Sequence, residues 1–285
     1  MGSLFNFNDY AALLPLVSNS LIAAALLGLM GGLVGIFVMN RDASFAVHGI
    51  SELSFAGASV ALLVGIDVVL GSIIGSVIAA VIIAMLGAKA KDRNSIIAVL
   101  MPFGLGLGIL ALSLYQGRAA NKFGLLTGQI IAVDEPALMW LVAITVLVTV
   151  VLLLIWRPLQ FASLDADVAR ARGVATGALG FGFMLLLALA VAASVQVVGA
   201  LLVLSLLVTP AASALRVTAS PKLAPVLSVL FALAASVGGI LLALGGGLPV
   251  SPYITTVSFV IYLVCRVIEA ARKRAAKRSV LGAAA

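Results

Sequence analysis

The feature that most constrains this chain is a succession of apolar stretches, each about as long as a membrane-spanning helix. They cover about 12–39, 46–66, 68–88, 95–115, 136–156, 174–194, 197–215, 223–245 and 252–270 of the 285 residues. A helix rises 1.5 Å per residue, so about 20 residues cross a hydrocarbon core about 30 Å thick. Charged residues make up only 9% of the chain and hydrophobic ones 64%. A soluble domain carries roughly 25% charged residues, so this chain cannot cover itself for water. In lipid the backbone must satisfy its own hydrogen bonds, and segments of this length do so as helices. The expectation is an all-α, polytopic transmembrane helical bundle forming a single domain over 1–285. About nine spans are expected, with eight possible, because 46–66 opens polar and 174–194 runs close to 197–215. No Lys or Arg precedes the first stretch, so it reads as a retained span and not as a cleaved secretory leader.

Charge sets the orientation. With nine spans and the C-terminal end in the cytoplasm, 15 of the 17 Lys and Arg residues fall on one side, leaving only Arg118 and Lys122 on the other. Cytoplasmic loops are the ones enriched in Lys and Arg, so the N-terminus is expected outside and the C-terminus inside. The net charge of +7 is therefore a topology signal, and nucleic acid is not expected as a partner. The basic tail 271–285 is placed to touch anionic lipid. One cysteine, Cys265, excludes an intrachain disulfide and a cysteine metal cage. There is no P-loop, no second histidine for a zincin site and no GxSxG elbow, so the chain is not expected to be an enzyme.

Two hydrophilic stretches interrupt the apolar pattern. QGRAANKFGLLTGQIIAVDEP (116–136) is expected outside, with a centre apolar enough for a short helix or hairpin. RPLQFASLDADVARARGV (157–174) is expected inside. There Pro158 should end the preceding span, and Ser163 should cap a short helix with Asp165 and Asp167 in its first turn. Arg170 and Arg172 lie near its end, the order a helix dipole favours, and Gly173 is placed to stop it. Such a segment reads as a docking element or as a connecting loop. Within the spans, Gly28 with Gly32, and Gly31 with Gly35, have the spacing that lets helices approach closely in lipid; Gly104, Gly106 and Gly108 form a third group.

Only two ionisable side chains fall well inside an apolar span. They are His48, the single histidine, and Glu52, in FAVHGISELSFAGASVALLVG (45–65). Four residues apart, they share one helix face, with Ser51 and Ser44 extending a polar stripe opposite Val47, Ile50 and Leu53. Ionisable groups in a membrane are costly and mark pathways or bound ions. An imidazole with a carboxylate suits zinc or manganese and is poor for copper(I). Alternatively the two hydrogen-bond each other and join helices. Two ligands are too few for a stable site; either a homodimer supplies four, or neighbouring residues and water complete the shell. Asp67, beyond the outer end of the same helix, is a secondary entry ligand or a solvated loop residue. Pro210, after Thr209 in VQVVGALLVLSLLVTPAASALRV (195–217), should kink its span and leave a hinge.

Three segments resemble one known family, the ABC-3 type zinc/manganese permeases. FVMNRDASFAVHGISELSFAGASVALL (37–63) is similar to the family's region of an arginine followed by two metal-binding side chains four apart. FASLDADVARARGV (161–174) is similar to its ATPase-coupling segment, and VVGALLVLSLLVTPAASA (197–214) to its most specific signature. Many members carry Asp and then His at the ligand positions; here they read His48 and then Glu52, an order that fits a branch associated with zinc. The resemblance implies the permease subunit of an ATP-driven importer in a bacterial plasma membrane, working as a homodimer by alternating access. Its partners would be two cytosolic ATPase subunits and an extracellular or periplasmic metal-binding protein. His48 and Glu52 would hold transported Zn2+ or Mn2+, with no cofactor bound permanently. Phe161, Asp165, Asp167, Arg170 and Gly173 would contact the ATPase along 158–173, and Gly199, Thr209 and Pro210 would serve packing or hinge motion. The rivals are a secondary transporter or channel needing no ATPase, an intramembrane enzyme or assembly factor, and a structural membrane subunit.

Overall fold

A computed structural model describes residues 14–87, 90–117, 130, 133–200, 202–245 and 250–283, and all the regular structure among them is helical. A 3-10 turn at Pro15–Val17 leads into α1 (Ser18–Asn40), followed by α2 (Ser44–Val64), α3 (Val68–Leu86) and α4 (Ala90–Leu114). Then come α5 (Glu135–Leu154), two short helices α6 (Trp156–Leu164) and α7 (Ala166–Ala171), and α8 (Thr176–Val198). The chain continues through α9 (Val203–Leu207), α10 (Thr209–Val217), α11 (Leu223–Leu244) and α12 (Val250–Ala283). Eight helices among the described residues are long and apolar enough to span a membrane: α1 to α5, α8, α11 and α12.

The apolar stretch 197–215, counted among the nine expected spans and expected to kink at Pro210, is broken twice. Gly199 ends α8 with φ +80° and ψ 159°, a backbone conformation that only glycine adopts without strain. The chain re-enters a helix at Val203 and breaks again at Val208. Pro210 lies in the first turn of α10. Having no N–H, it leaves the Leu206 carbonyl without its helical donor, and that carbonyl lies against Gly31 of α1. The direction of the neighbours still requires a return here. Ser228 and Ser236 of α11 donate to the carbonyls of Gly32 and Ala24 in α1, at 2.8 and 2.9 Å, so α11 is antiparallel to α1. Gln196 near the end of α8 donates to the Val68 carbonyl at the start of α3, which is antiparallel to α2. Hence α8 and α11 run the same way, and 199–222 carries the chain back between them.

α1 and α2 form the centre, two-thirds buried over their apolar windows, whereas α12 lies at the rim with 17% buried. Glycine makes the centre tight. Gly28 and Gly32 face Leu233 and Val229 of α11, and Gly31 and Gly35 face the broken segment at Leu206 and Leu207. Thus the two small-residue rows on α1 serve two different neighbours. α2 and α3 cross at Gly57, Gly71 and Gly75 with backbone against backbone.

Three expected boundaries are corrected. α4 begins at Ala90, well before its apolar run, because a helix does not stop where the membrane does. In 157–174, the preceding span ends at Leu154 as expected, the residue whose carbonyl an N–H at Pro158 would have met, and only the cap of the next helix differs. Pro158 sits in the first turn of α6, where no N–H is needed. Ser163 is therefore inside α6, donating to the Leu159 carbonyl at 2.6 Å. Asp165 is the cap of α7 instead, accepting from the N–H groups of Asp167 and Val168 at 3.0 and 2.9 Å. Gly173 ends the turn as expected, with φ +81°. α12 runs past the apolar stretch expected at 252–270 and continues as a helix through the basic tail to Ala283. The helix or hairpin expected in 116–136 falls largely outside the described residues.

Candidate metal site

The site is built on α2, which is held on several sides. Gly49 packs on Ile97 of α4, and Gly104 of α4 lies so close that a methyl there would come within 2.9 Å of the Glu52 carbonyl carbon. Val47 and Ile50, on the opposite face, are fully buried. This packing fixes the rotation of α2 and with it the polar face. His48 and Glu52 lie about one and two turns into the helix, roughly 6 and 12 Å from its first residue.

His48 Nδ1 and Glu52 Oε1 stand 3.8 Å apart, beyond hydrogen-bonding distance. The alternative in which the pair is mutually satisfied therefore finds no support. The Glu52 side chain is 6% exposed, and its Oε2 is buried without a partner; His48, 29% exposed, has its Nδ1 in the same condition. Such groups cost energy unless something else occupies their lone pairs. Ser59 adds a third, its Oγ buried and unpartnered. Residues 48, 52 and 59 fall on one helix face, at i, i+4 and i+11. Sequence reasoning passed over Ser59, although its spacing of seven from Glu52 was the signal. Conversely, Ser51 and Ser44 do not extend the stripe: Ser51 Oγ donates to the His48 carbonyl at 2.8 Å, and Ser44 Oγ contacts Met39 Sδ at 3.5 Å.

Among the described residues no group of three or more His, Cys, Asp or Glu side chains comes together. One chain thus offers a divalent ion one imidazole nitrogen and one carboxylate, fewer ligands than zinc takes; Ser59, seven residues beyond Glu52, lies about 10 Å further along the helix. Asp67 does not join them. It lies beyond the far end of α2 and caps α3, with Oδ1 accepting from the Leu70 N–H at 2.9 Å.

The remaining residues lie elsewhere. Phe161 is partly exposed, and Asp165, Asp167 and Arg170 form an exposed surface around α7, with Arg170 Nη1 3.5 Å from Asp167 Oδ1. The adjoining α6 is tied to the turn between α1 and α2 by Arg41, which caps α1 and whose Nη1 donates to Ser163 Oγ at 3.3 Å. The Arg41 guanidinium lies 5.7 Å above the Phe183 ring, and Phe37 packs between Phe183 and Trp156. Gly199 and Pro210 bracket the broken segment described above.

The sequence profile of the ABC 3 transport family matches residues 14–269. The manganese import system permease protein ScaB of Streptococcus gordonii is 29% identical over 265 residues, which cover 93% of this chain and 95% of that protein. The zinc transport system membrane protein TroC of Treponema pallidum is 28% identical over 244 residues, covering 82% and 78%. Among solved structures, PsaBC from Streptococcus pneumoniae in complex with Fab superposes with a TM-score of 0.82 at 25% identity, covering 91% of this chain and 95% of that one. An all-helical bundle among the described residues and a match over nearly the whole length agree: the chain belongs to the ABC 3 transport family and is the multi-pass membrane permease of a metal transporter.

Proposed function

We propose that this permease moves a divalent transition ion, Zn2+ or Mn2+, inward across a bacterial plasma membrane as one half of a homodimer driven by a separate ATPase. The observation carrying this reading is the unsatisfied pair on α2. A carboxylate oxygen and an imidazole nitrogen, both buried and both without partners, suit a cargo that is bound and then released. Two copies of α2 facing each other would offer two imidazoles and two carboxylates, enough for a four-coordinate ion. A metal-binding protein would deliver the ion at the outer face. The ATPase would act on the exposed surface of α6 and α7 through Phe161, Asp165, Asp167, Arg170 and the turn at Gly173. Arg41 and its contact with Ser163 give α6 a direct connection to the turn between α1 and α2. Gly199 and the break before Pro210 provide the segment beside α1 able to bend.

The test is uptake of radioactive zinc and manganese by cells carrying the full transporter with His48→Ala or Glu52→Ala. Each variant should lose most uptake at normal membrane abundance, and wild-type rates would remove the pair from the path. Uptake by the purified chain in liposomes without an ATPase would replace the ATP-driven mechanism with a gradient-driven one.

A further inference from the structure

The α1–α2 turn, the end of α3, the start of α4 and the start of α8 enclose a half-open cavity of about 260 Å3. It lies where helices α1, α3 and α4 end or begin, at the end of the bundle that the Lys/Arg bias assigns to the cytoplasm. Among the described residues its charged lining is Arg41 and Arg93, with no Asp or Glu, and its wall is largely apolar, with Ile83, Phe181, Phe183 and Met184. Arg93 Nη2 donates to the carbonyls of Asp42 and Arg41 at 3.2 and 3.5 Å, leaving its Nε buried and unpartnered. Arg41 has the single hydrogen bond to Ser163 and the face of Phe183. Among the described residues the Lys and Arg ion pairs involve Arg170, Arg216, Arg266 and Lys273, and neither of these arginines. Burial and the nearby Arg93 charge push the Arg41 pKa down, the mark of two cations held together partly out of water. An anion between them would remove that cost.

We propose that this cavity binds the phosphate of an anionic lipid headgroup, held by Arg41 and Arg93, with the glycerol and first acyl carbons against the apolar wall. Guanidinium forks match phosphate oxygens in pairs, and basic pockets between membrane helices at the cytoplasmic side take anionic headgroups. The location and the apolar wall favour a lipid over free phosphate. This site is separate from the ion pair on α2 and does not depend on which metal is carried.

The full chain, purified in detergent and delipidated, is given dioctanoyl phosphatidylglycerol, dioctanoyl phosphatidylcholine or inorganic phosphate. Binding is read by native mass spectrometry and by the shift in unfolding temperature. Phosphatidylglycerol should bind in preference to phosphatidylcholine. Arg41→Gln and Arg93→Gln should each weaken that binding about tenfold, as loss of a charged hydrogen bond implies. Lys222→Gln, an exposed cation outside the cavity, should leave it unchanged. Arg93→Lys keeps the charge without the fork and should fall between, guarding against a folding defect in the neutral variants. Equal binding of the two lipids by the wild-type chain, or affinity unchanged in both arginine variants, would overturn the site. Arginine-dependent binding of inorganic phosphate, with no further gain from phosphatidylglycerol, would overturn the lipid as its source.

Discussion

Replacing Glu52 by methionine should make this permease more stable and stop it working. The Glu52 side chain is 6% exposed, its Oε2 has no partner, and its Oε1 is 3.8 Å from His48 Nδ1. Leaving a polar group buried and unpaired costs about 1–3 kcal/mol. Methionine has nearly the same length and volume, so it removes that cost without opening a cavity. For a chain of this size about 2–3 °C accompanies each kcal/mol, so Glu52→Met should raise the unfolding midpoint by roughly 2–9 °C. The assay is thermal unfolding of the purified chain in detergent, followed by the fluorescence of Trp140 and Trp156, alongside uptake in cells. Added zinc or manganese should raise the midpoint of the wild-type chain and leave that of the variant where it is, because ligands stabilise only the state that binds them. A midpoint lowered by several degrees would show that the carboxylate is structurally satisfied, and would refute the argument that its open valences are kept for cargo.

Other substitutions test the framework. Gly32→Ala places a methyl 2.6 Å from Val229 Cα and should cost about 1–3 kcal/mol, read as a lower unfolding midpoint. Gly106→Ala meets nothing within 4 Å and should gain about 0.5–1 kcal/mol from helix propensity; a loss there would mean that another chain packs on that face. Gly199→Ala forces a methyl side chain into a glycine conformation and should cost about 1–3 kcal/mol, read as a lower unfolding midpoint, with uptake falling alongside. Asp165→Ala removes the α7 cap, worth about 1 kcal/mol, and should weaken copurification of the ATPase, whereas Asp165→Asn keeps the cap and the contact. Full retention of the ATPase by Asp165→Ala would place docking elsewhere.

Much of this architecture was readable before any coordinates, for physical reasons that differ by element. The long spans declare themselves because lipid demands continuous apolar length, and α3 and α8 fall within a few residues of their expected ranges. The glycine rows on α1 announced close neighbours but could not say that Gly28 and Gly31 serve different ones, which is a matter of tertiary placement. The start of α4 was missed because hydropathy reports the membrane edge and not the helix end. Ser163 and Asp165 were both plausible caps two residues apart. Which one acts depends on α6 starting before Pro158, a fact of backbone continuity. In the candidate site, His48 and Glu52 were found from helical spacing alone, and Ser59 obeys the same rule at longer range. Whether the pair was satisfied needed a distance. The contact of Arg41 with Ser163, 122 residues away, has no local signature at all.

The last helix, 34 residues long, measures about 51 Å, whereas the hydrocarbon it crosses is about 30 Å thick. Its overhang is braced: Glu269 meets both Arg216 and Lys273, at 3.3 and 2.6 Å, and Arg272 holds the Val217 carbonyl. The connection leading into α11 is thereby bolted to a rigid post. Any assembly that tilts α12 must drag this corner with it, so a push on the post reaches Val217 and the neighbouring α10 without crossing the bundle interior.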